Sequence, residues 1–354
     1  MAEIDVLIIG AGQAGLGMGY TLKNKTKYSF QILEGAPRIG DNWRSRYDEL
    51  TLFTTREISQ LPEMPIPGDP QGYPPRDQFG DYLEHYAEYM ELPVKVNCKI
   101  TKVVKSDDGG FISTAEDGTE YKSRSVVLAN GPYQTANVLG MAKNLSDEVV
   151  QITSEDYKNS DQVKSFSRVL VVGDGAYGRD MAAELSLSNT TFMAKGSFRF
   201  LMPERILGLA PGKYLTKVGI VTAPTKSLRA KMMKKLDPFP NRDRGNRQLR
   251  RKGITIKPRL KGLDGTTATF KDGTSITIDA ICWAVGFRDK SWDWVEIPEA
   301  KDEKGNMVNN KGSSPVKNLF FMGRAWQTCR ASALVFGVHK DSEIVAGEIV
   351  KGLS

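Results

Sequence analysis

Histidine is the scarcest chemistry-bearing residue in the chain, which has two, His85 and His339. Two are too few for a His-rich metal site and leave almost nothing for a His-centred nucleophilic triad. Cysteine is nearly as scarce: Cys98, Cys282 and Cys329 lie far apart, with no C-x-x-C. A disulfide scaffold and a dithiol redox motif are therefore excluded, and a reducing, cytoplasmic setting is expected. No apolar run approaches the ~18 residues of a membrane span, and no basic stretch leads into an apolar one at the start. Neither a spanning helix nor a signal peptide is expected. What remains is 354 residues, 40% hydrophobic and 26% charged, enough for about two domains with separate cores.

The first forty-odd residues organise the rest. An apolar strand, Ile4 to Ile9, runs straight into Gly10-Ala11-Gly12-Gln13-Ala14-Gly15. A helical stretch through Leu22 follows, and a second apolar strand, Phe30 to Leu33, ends in Glu34. This is the βαβ dinucleotide fingerprint. Gly10 permits the tight turn, Gly12 lets a pyrophosphate approach the backbone, and Gly15 packs the helix on the strand. The helix N-terminus offers free amides and a positive dipole end to phosphate. Glu34 lies nineteen residues after Gly15, where an acid binds ribose hydroxyls and repels a 2′-phosphate, so FAD or NAD is expected here. Alone, such a motif also fits an ordinary glycine-rich βα turn.

The fingerprint returns at mid-chain. Arg168 to Val172 reads as a strand, Gly173-Asp174-Gly175-Ala176-Tyr177-Gly178 repeats the glycine pattern, and Arg179 to Leu185 continues as helix. The next strand, Thr190 to Ala194, ends in Lys195 with Arg199 beyond. A cation in place of the ribose acid suits a 2′-phosphate, so this second site prefers NADPH, with NADH the alternative. One chain with two dinucleotide sites most often passes hydride between them.

The remaining segments fill in around these two. Gly35 to Arg44 reads as a loop along the first ligand, with Asn42 and Trp43 as flavin-side contacts or, for Trp43, simple packing. Residues 58–76 are proline-rich and irregular. From Arg76 an amphipathic helix is expected, with His85 among its core-facing residues as a structural histidine. Short strands follow at 94–104, 110–115 and 119–128, joined by Asp-Gly turns. Residues 132–167 read as connector. Residues 226–252 carry eleven Lys/Arg against two Asp, either a polyanion-binding surface or a solvated helix and loop. With Phe239 the one aromatic among them, nucleic-acid binding is not expected. Strands are expected at 254–257, 267–271 and 275–278, and buried ones at 280–287 and 318–324. A last helix from about Ser332 would aim its N-terminus at the flavin and stabilise charge near N1 and C2=O.

These motifs, with Gly40-Asp41-Asn42-Trp43, Tyr73-Pro74-Pro75-Arg76-Asp77, Gly178-x-Asp180, Ala284-Val285-Gly286-Phe287, Phe321-Met322-Gly323 and Arg330-x-Ser332, resemble the class B flavin-containing monooxygenases, including short bacterial and YUCCA-like members. The resemblance covers essentially the whole chain. It implies an α/β fold of two Rossmann-like, three-layer dinucleotide-binding domains. The FAD domain would take residues 1–150 and 285–354, and an inserted NADPH domain residues 151–284. FAD would rest on Gly10, Gly12, Gln13, Ala14, Gly15, Glu34, Gly40, Asn42 and Trp43. Phe53, Thr54, Ile100, Ala129, Gly131, Gly323 and Arg324 would complete that site. NADPH would rest on Gly173, Gly175, Tyr177, Gly178, Asp180, Lys195 and Arg199. Arg330 and Asp341 are the candidates for polarising substrate or flavin.

The chain departs from the family in three places: Thr153 aligns where the middle motif has histidine, Ala129-Asn130-Gly131 and Ala284-Val285-Gly286 replace Ala-Thr-Gly, and Phe53 aligns with a flavin-edge asparagine. The implied reaction is hydride transfer from NADPH to flavin, oxygen addition at C4a, and delivery of one oxygen atom to a sulfide, amine or ketone. Small-molecule substrate and O2 are then the partners. Two rival readings are a ferredoxin–NADP reductase docking an acidic protein, and a non-catalytic FAD sensor.

Overall fold

The computed structural model describes residues 4–354 apart from 133, 134, 197, 204, 206, 207, 209 and 289–291. Among the described residues two parallel sheets dominate. The first grows from the opening strand, Ile4–Ile9, whose buried apolar run Val6 to Ile9 is what a strand covered on both faces requires. It pairs in parallel with Phe30–Leu33 on one side, Val6 opposite Phe30, and with Glu120–Leu128 on the other, Ile9 opposite Leu128. Val94–Lys95 extends the sheet at one edge, and the antiparallel strands Phe111–Ala115 and Ile100–Lys105 extend it at the other. Leu319–Phe321, nearly two hundred residues later, adds alongside Val126–Leu128. Both ends of the chain therefore contribute to one sheet.

The second sheet is wholly parallel, in the order Thr255–Lys257, Thr190–Ala194, Arg168–Val172, Ala280–Trp283, Val150–Thr153. A three-stranded antiparallel sheet, Leu260–Asp264, Thr267–Phe270 and Ser275–Thr277, packs on it through Phe270, Ile281 and Trp283.

Four local expectations differ from the structure. Val150–Thr153 is an edge strand inside the presumed connector; only Ile152 of its four side chains is buried, so it carries no apolar alternation. Leu260–Asp264 is likewise a strand where none was expected, bulged between Leu260 and Gly262. Asp41–Arg44 is a helical turn, not a loop, entered through Gly40 at φ +90°. A Cβ at Gly40 would lie 2.4 Å from the Gly80 carbonyl oxygen, so the close approach to the helix Arg76–Tyr89 demands glycine. His85 lies on the solvent side of that helix, beside Glu88, because Tyr82, Leu83 and Tyr86 take the buried stripe.

The C-terminal helix spans Val338–Leu353, preceded by tight turns at Arg330–Ala333 and Val335–Gly337. It starts six residues later than its apolar pattern suggests. Gly337 presses against Ala331, where a Cβ would meet the Ala331 carbonyl oxygen at 2.1 Å, and the chain turns there before the helix begins. Val338 then fills the notch at Gly17, locking this helix to the first one, Gln13–Lys25.

Candidate active site

Both fingerprints fold as nucleotide cradles. Gly10 has φ +108°, and a Cβ there would lie 2.7 Å from the Ala129 carbonyl oxygen; one at Gly15 would lie 1.8 Å from that of Gly10. Neither position tolerates a side chain. Gly12 differs: a Cβ there would meet nothing closer than Asn42 Nδ2 at 3.8 Å, so open space lies above it. The helix begins at Gln13 with no side chain capping it, which leaves the first-turn amides of Gln13, Ala14 and Gly15 for a ligand. Glu34 closes one end, its carboxylate accepting from the Ala11 amide at 2.7 Å and the Ala36 amide at 2.9 Å. Those bonds fix its orientation at the strand end.

The second cradle repeats this geometry. Gly173 has φ +111° and abuts the Ala284 carbonyl oxygen; Gly178 abuts that of Gly173. The helix Ala176–Leu185 also starts uncapped. Here a cation covers the middle glycine, with Arg199 Nη1 2.8 Å from where a Gly175 Cβ would be. Asp237 holds that guanidinium at 2.7 Å, and it lies 5.6 Å from the Phe239 ring centre. Lys195 leaves the strand end half-buried, its amide donating to the Lys257 carbonyl. Asp174 accepts from the Gly196 amide and sits beside buried Arg179, whose Nη1 donates to the Arg244 carbonyl.

The two cradles are joined by the segment leaving Asn42. Trp43 donates to Gln13 Oε1 at 3.3 Å and packs edge-on against Phe79 at 4.9 Å, so it both touches the first cradle and fills the core beneath it. Five residues beyond Asn42, the Tyr47 hydroxyl donates to Asp180 Oδ2 at 2.7 Å. Arg242 reaches the same carboxylate at 3.4 Å and donates to Thr51 Oγ1 at 2.5 Å; Arg244 reaches the other oxygen at 3.4 Å. Burial, then the neighbouring carboxylate, push the Tyr47 phenol well above its ordinary value, so it stays a donor. Tyr177 is wedged between Tyr47 and Phe287, and burial pushes its phenol up to about 12. Tyr47, Arg242 and Arg244 escaped sequence reasoning. The two arginines lay within a charge-dense stretch that reads equally well as solvated surface.

Where residues 53–73 meet residues 210–240 and 330–336 lies a cavity of about 60 Å³. Phe53, Thr54, Tyr73, Met233, Phe239 and Arg330 are among the side chains lining it. Thr54 is held by Ser59 at 2.7 Å. Arg330 thus brings a cation to a mostly apolar wall. Asp341 does not line the cavity. It is fully buried in the first turn of the last helix, where one carboxylate oxygen accepts from the Thr328 hydroxyl. Burial pushes its carboxyl above the ordinary range, and its Oδ2 has no partner among the described residues. Ile100 opens an edge strand and packs against the core beneath the first sheet. Gly131 has φ +70°, and its carbonyl accepts from Arg324 Nη1 at 3.2 Å. Gly323, at φ +76°, lets its loop close on Ala14.

A fold with two uncapped glycine cradles, one beside an acid and one beside cations, is that of a pyridine-nucleotide-dependent oxidoreductase. The chain belongs to the pyridine nucleotide-disulphide oxidoreductase family, whose model matches residues 7–196. It is 38% identical to an uncharacterised CzcO-like oxidoreductase of Geobacillus kaustophilus over 98% of both chains. It is 26% identical to a probable indole-3-pyruvate monooxygenase, YUCCA9, of Arabidopsis thaliana, over 84% of this chain and 78% of that one. A flavin-containing monooxygenase from Stenotrophomonas maltophilia has the same fold, with a TM-score of 0.82 at 23% identity and full coverage of both chains. Among the described residues no helix is long and apolar enough to cross a membrane, and no group of His, Cys, Asp and Glu could hold a metal ion.

Proposed function

We propose that the protein is an NADPH-dependent monooxygenase that inserts one atom of O2 into a small sulfide, amine or carbonyl compound. The observation that carries this reading is the Tyr47–Asp180 bond, which makes one short segment the shared wall of both cradles. In this reading residues 1–150 and 285–354 bind FAD and residues 151–284 bind NADPH; the membership of the two sheets supports that division.

The residues present fit both groups. The open space over Gly12 and the uncapped Gln13 end suit a pyrophosphate, and Glu34 suits unphosphorylated ribose hydroxyls. Lys195 and Arg199 suit a 2′-phosphate. When bound, flavin supplies hydride acceptance from NADPH and activation of O2. The protein's own tasks are to orient, to exclude water and to balance charge. Tyr47, Arg242 and Arg244 hold Asp180 and so fix the second cradle's helix against the first. Phe53, Tyr73, Met233 and Phe239 keep the cavity dry, and Arg330 offers positive charge to a substrate oxygen or a flavin carbonyl. The overall balance is NADPH, a proton, O2 and substrate giving NADP⁺, water and oxygenated substrate.

The test is stoichiometry under ¹⁸O2 with a panel of sulfides, amines and ketones. Equal consumption of NADPH and O2, with one labelled atom in product, is expected for at least one class. Hydrogen peroxide matching all NADPH consumed across the panel overturns the reading in favour of an NADPH oxidase.

A further inference from the structure

The net charge of +7 is not spread over the chain. Residues 226–252 hold eleven Lys/Arg and two Asp, so the rest of the chain, with 38 Lys/Arg and 40 Asp/Glu, is slightly acidic. Some of those cations are engaged inside: Arg242 and Arg244 are at Asp180. On and just before the helix Leu228–Leu236, Lys234 lies 4.7 Å from the Trp326 ring centre, but the other cations face outward. Lys226, Arg229, Lys231 and Lys235 are exposed and make no ion pair with any described carboxylate.

The same helix exposes apolar side chains. Leu228 is 83% and Met232 49% accessible. With Lys231 and Lys235 they occupy one face at the i, i+3, i+4, i+7 spacing, while Ala230 and Met233 are buried on the opposite side. Neighbouring chain brings further exposed apolar residues near both ends of the helix. Arg229 donates to the carbonyl of Val218, itself exposed, and the amide of exposed Phe200 donates to Leu236 at the helix end. Exposed Phe198 lies two residues before Phe200. An apolar row set among unpaired cations fits one environment better than water or a flat acidic protein patch: the headgroup boundary of an anionic bilayer. There the lysine stems lie along the surface with ammoniums at phosphate while Leu and Met enter the acyl region.

We propose that the face carrying Val218, Leu228, Lys231, Met232 and Lys235 docks the protein reversibly on anionic lipid. The inner side of this helix supplies Met233 to the cavity wall, so docking sets the cavity beside a reservoir of apolar substrates. The docking itself does not depend on what the cavity oxidises.

The test is flotation of FAD-loaded protein with vesicles of phosphatidylcholine alone and with phosphatidylglycerol at roughly one part in three, at about 0.1 M salt. Binding is expected on the anionic vesicles and not on the neutral ones. Lys231→Gln and Lys235→Gln should each weaken partitioning roughly fivefold, and Leu228→Gln and Met232→Gln roughly tenfold each. Leu187→Gln, an exposed leucine elsewhere, should change nothing. Unaltered flavin absorbance and Tm establish that the variants are folded. Absence of flotation on anionic vesicles overturns the proposal, as does equal binding to neutral ones. So does loss in the lysine variants with none in Leu228→Gln and Met232→Gln, which would mark a site for an acidic protein instead.

Discussion

The Tyr47 hydroxyl donates to Asp180 at 2.7 Å, and the two residues belong to opposite cradles. Tyr47 lies five residues after Asn42, which borders the open space over Gly12. Asp180 lies two residues after Gly178 in the second fingerprint helix. Five residues span at most about 18 Å, so the bond holds the second helix within reach of the first site. Both partners are buried and desolvated, which makes the bond costly to leave half-made.

Tyr47→Phe keeps the ring contact with Tyr177 and deletes only the donor. Asp180 would retain Arg242 and Arg244 yet lose its shortest contact. A stability loss of about 1–3 kcal/mol is expected, with full FAD content. Anaerobic stopped-flow should show slower flavin reduction by NADPH at saturation. Reduction at the wild-type rate would separate this bond from hydride transfer.

Gly12 and Gly15 predict opposite failures. A side chain at Gly12 has room in the fold but stands in the pyrophosphate path. Gly12→Val should therefore give soluble protein with native circular dichroism and no flavin absorbance. Gly15→Ala drives a Cβ to 1.8 Å from the Gly10 carbonyl oxygen, so the helix and strand must part. Loss of soluble, folded protein is the expected outcome there. A yellow, fully loaded Gly12→Val would remove the first-site assignment.

The cations of the second cradle are testable by the choice of nicotinamide. A lost charge-assisted bond to phosphate is worth about 1.5–3 kcal/mol, roughly ten- to a hundredfold in KM. Lys195→Ala should raise KM for NADPH by this factor and leave NADH nearly unchanged. Arg199→Ala should weaken both, more for NADPH, because its guanidinium lies over Gly175 as well as near the ribose end. Equal losses with the two nucleotides for Lys195→Ala would deny it a 2′-phosphate role.

Much of this architecture was legible in the sequence because parallel, doubly covered strands write themselves as apolar runs of four residues or more. Ile4–Ile9 and Arg168–Val172 are read directly, and their glycine turns announce cradles. Val150–Thr153 was not legible, since an edge strand needs only Ile152 inside. Nor was Tyr47. A tyrosine in an irregular segment gives no periodic signal, and Asp180, expected at the nucleotide, gives no sign of a tyrosine partner. His85 shows the converse error. Its neighbours in sequence suggest a buried histidine, but helix phase turns it to solvent.

Asp341 yields the last prediction. Its carboxyl is wholly buried, Oδ1 accepts from Thr328, and Oδ2 lacks a partner among the described residues, so the folded state favours the protonated form. The folded pKa lies above the ordinary value of 3.8. Between those two values the folded chain holds a proton that the unfolded chain has released, so stability falls as pH rises through the window. Asp341→Asn keeps an acceptor for Thr328 and carries no charge at any pH. The variant's Tm relative to the parent should therefore climb as pH is raised from about 4 through the raised pKa and then level off. Differential scanning calorimetry across that range checks it. A difference independent of pH would mean that Asp341 is ionised in the fold like an exposed carboxylate. If activity follows the same curve, Asp341 acts by positioning the turn that presents Arg330 to the cavity; Thr328→Val should then lower turnover while leaving NADPH affinity intact.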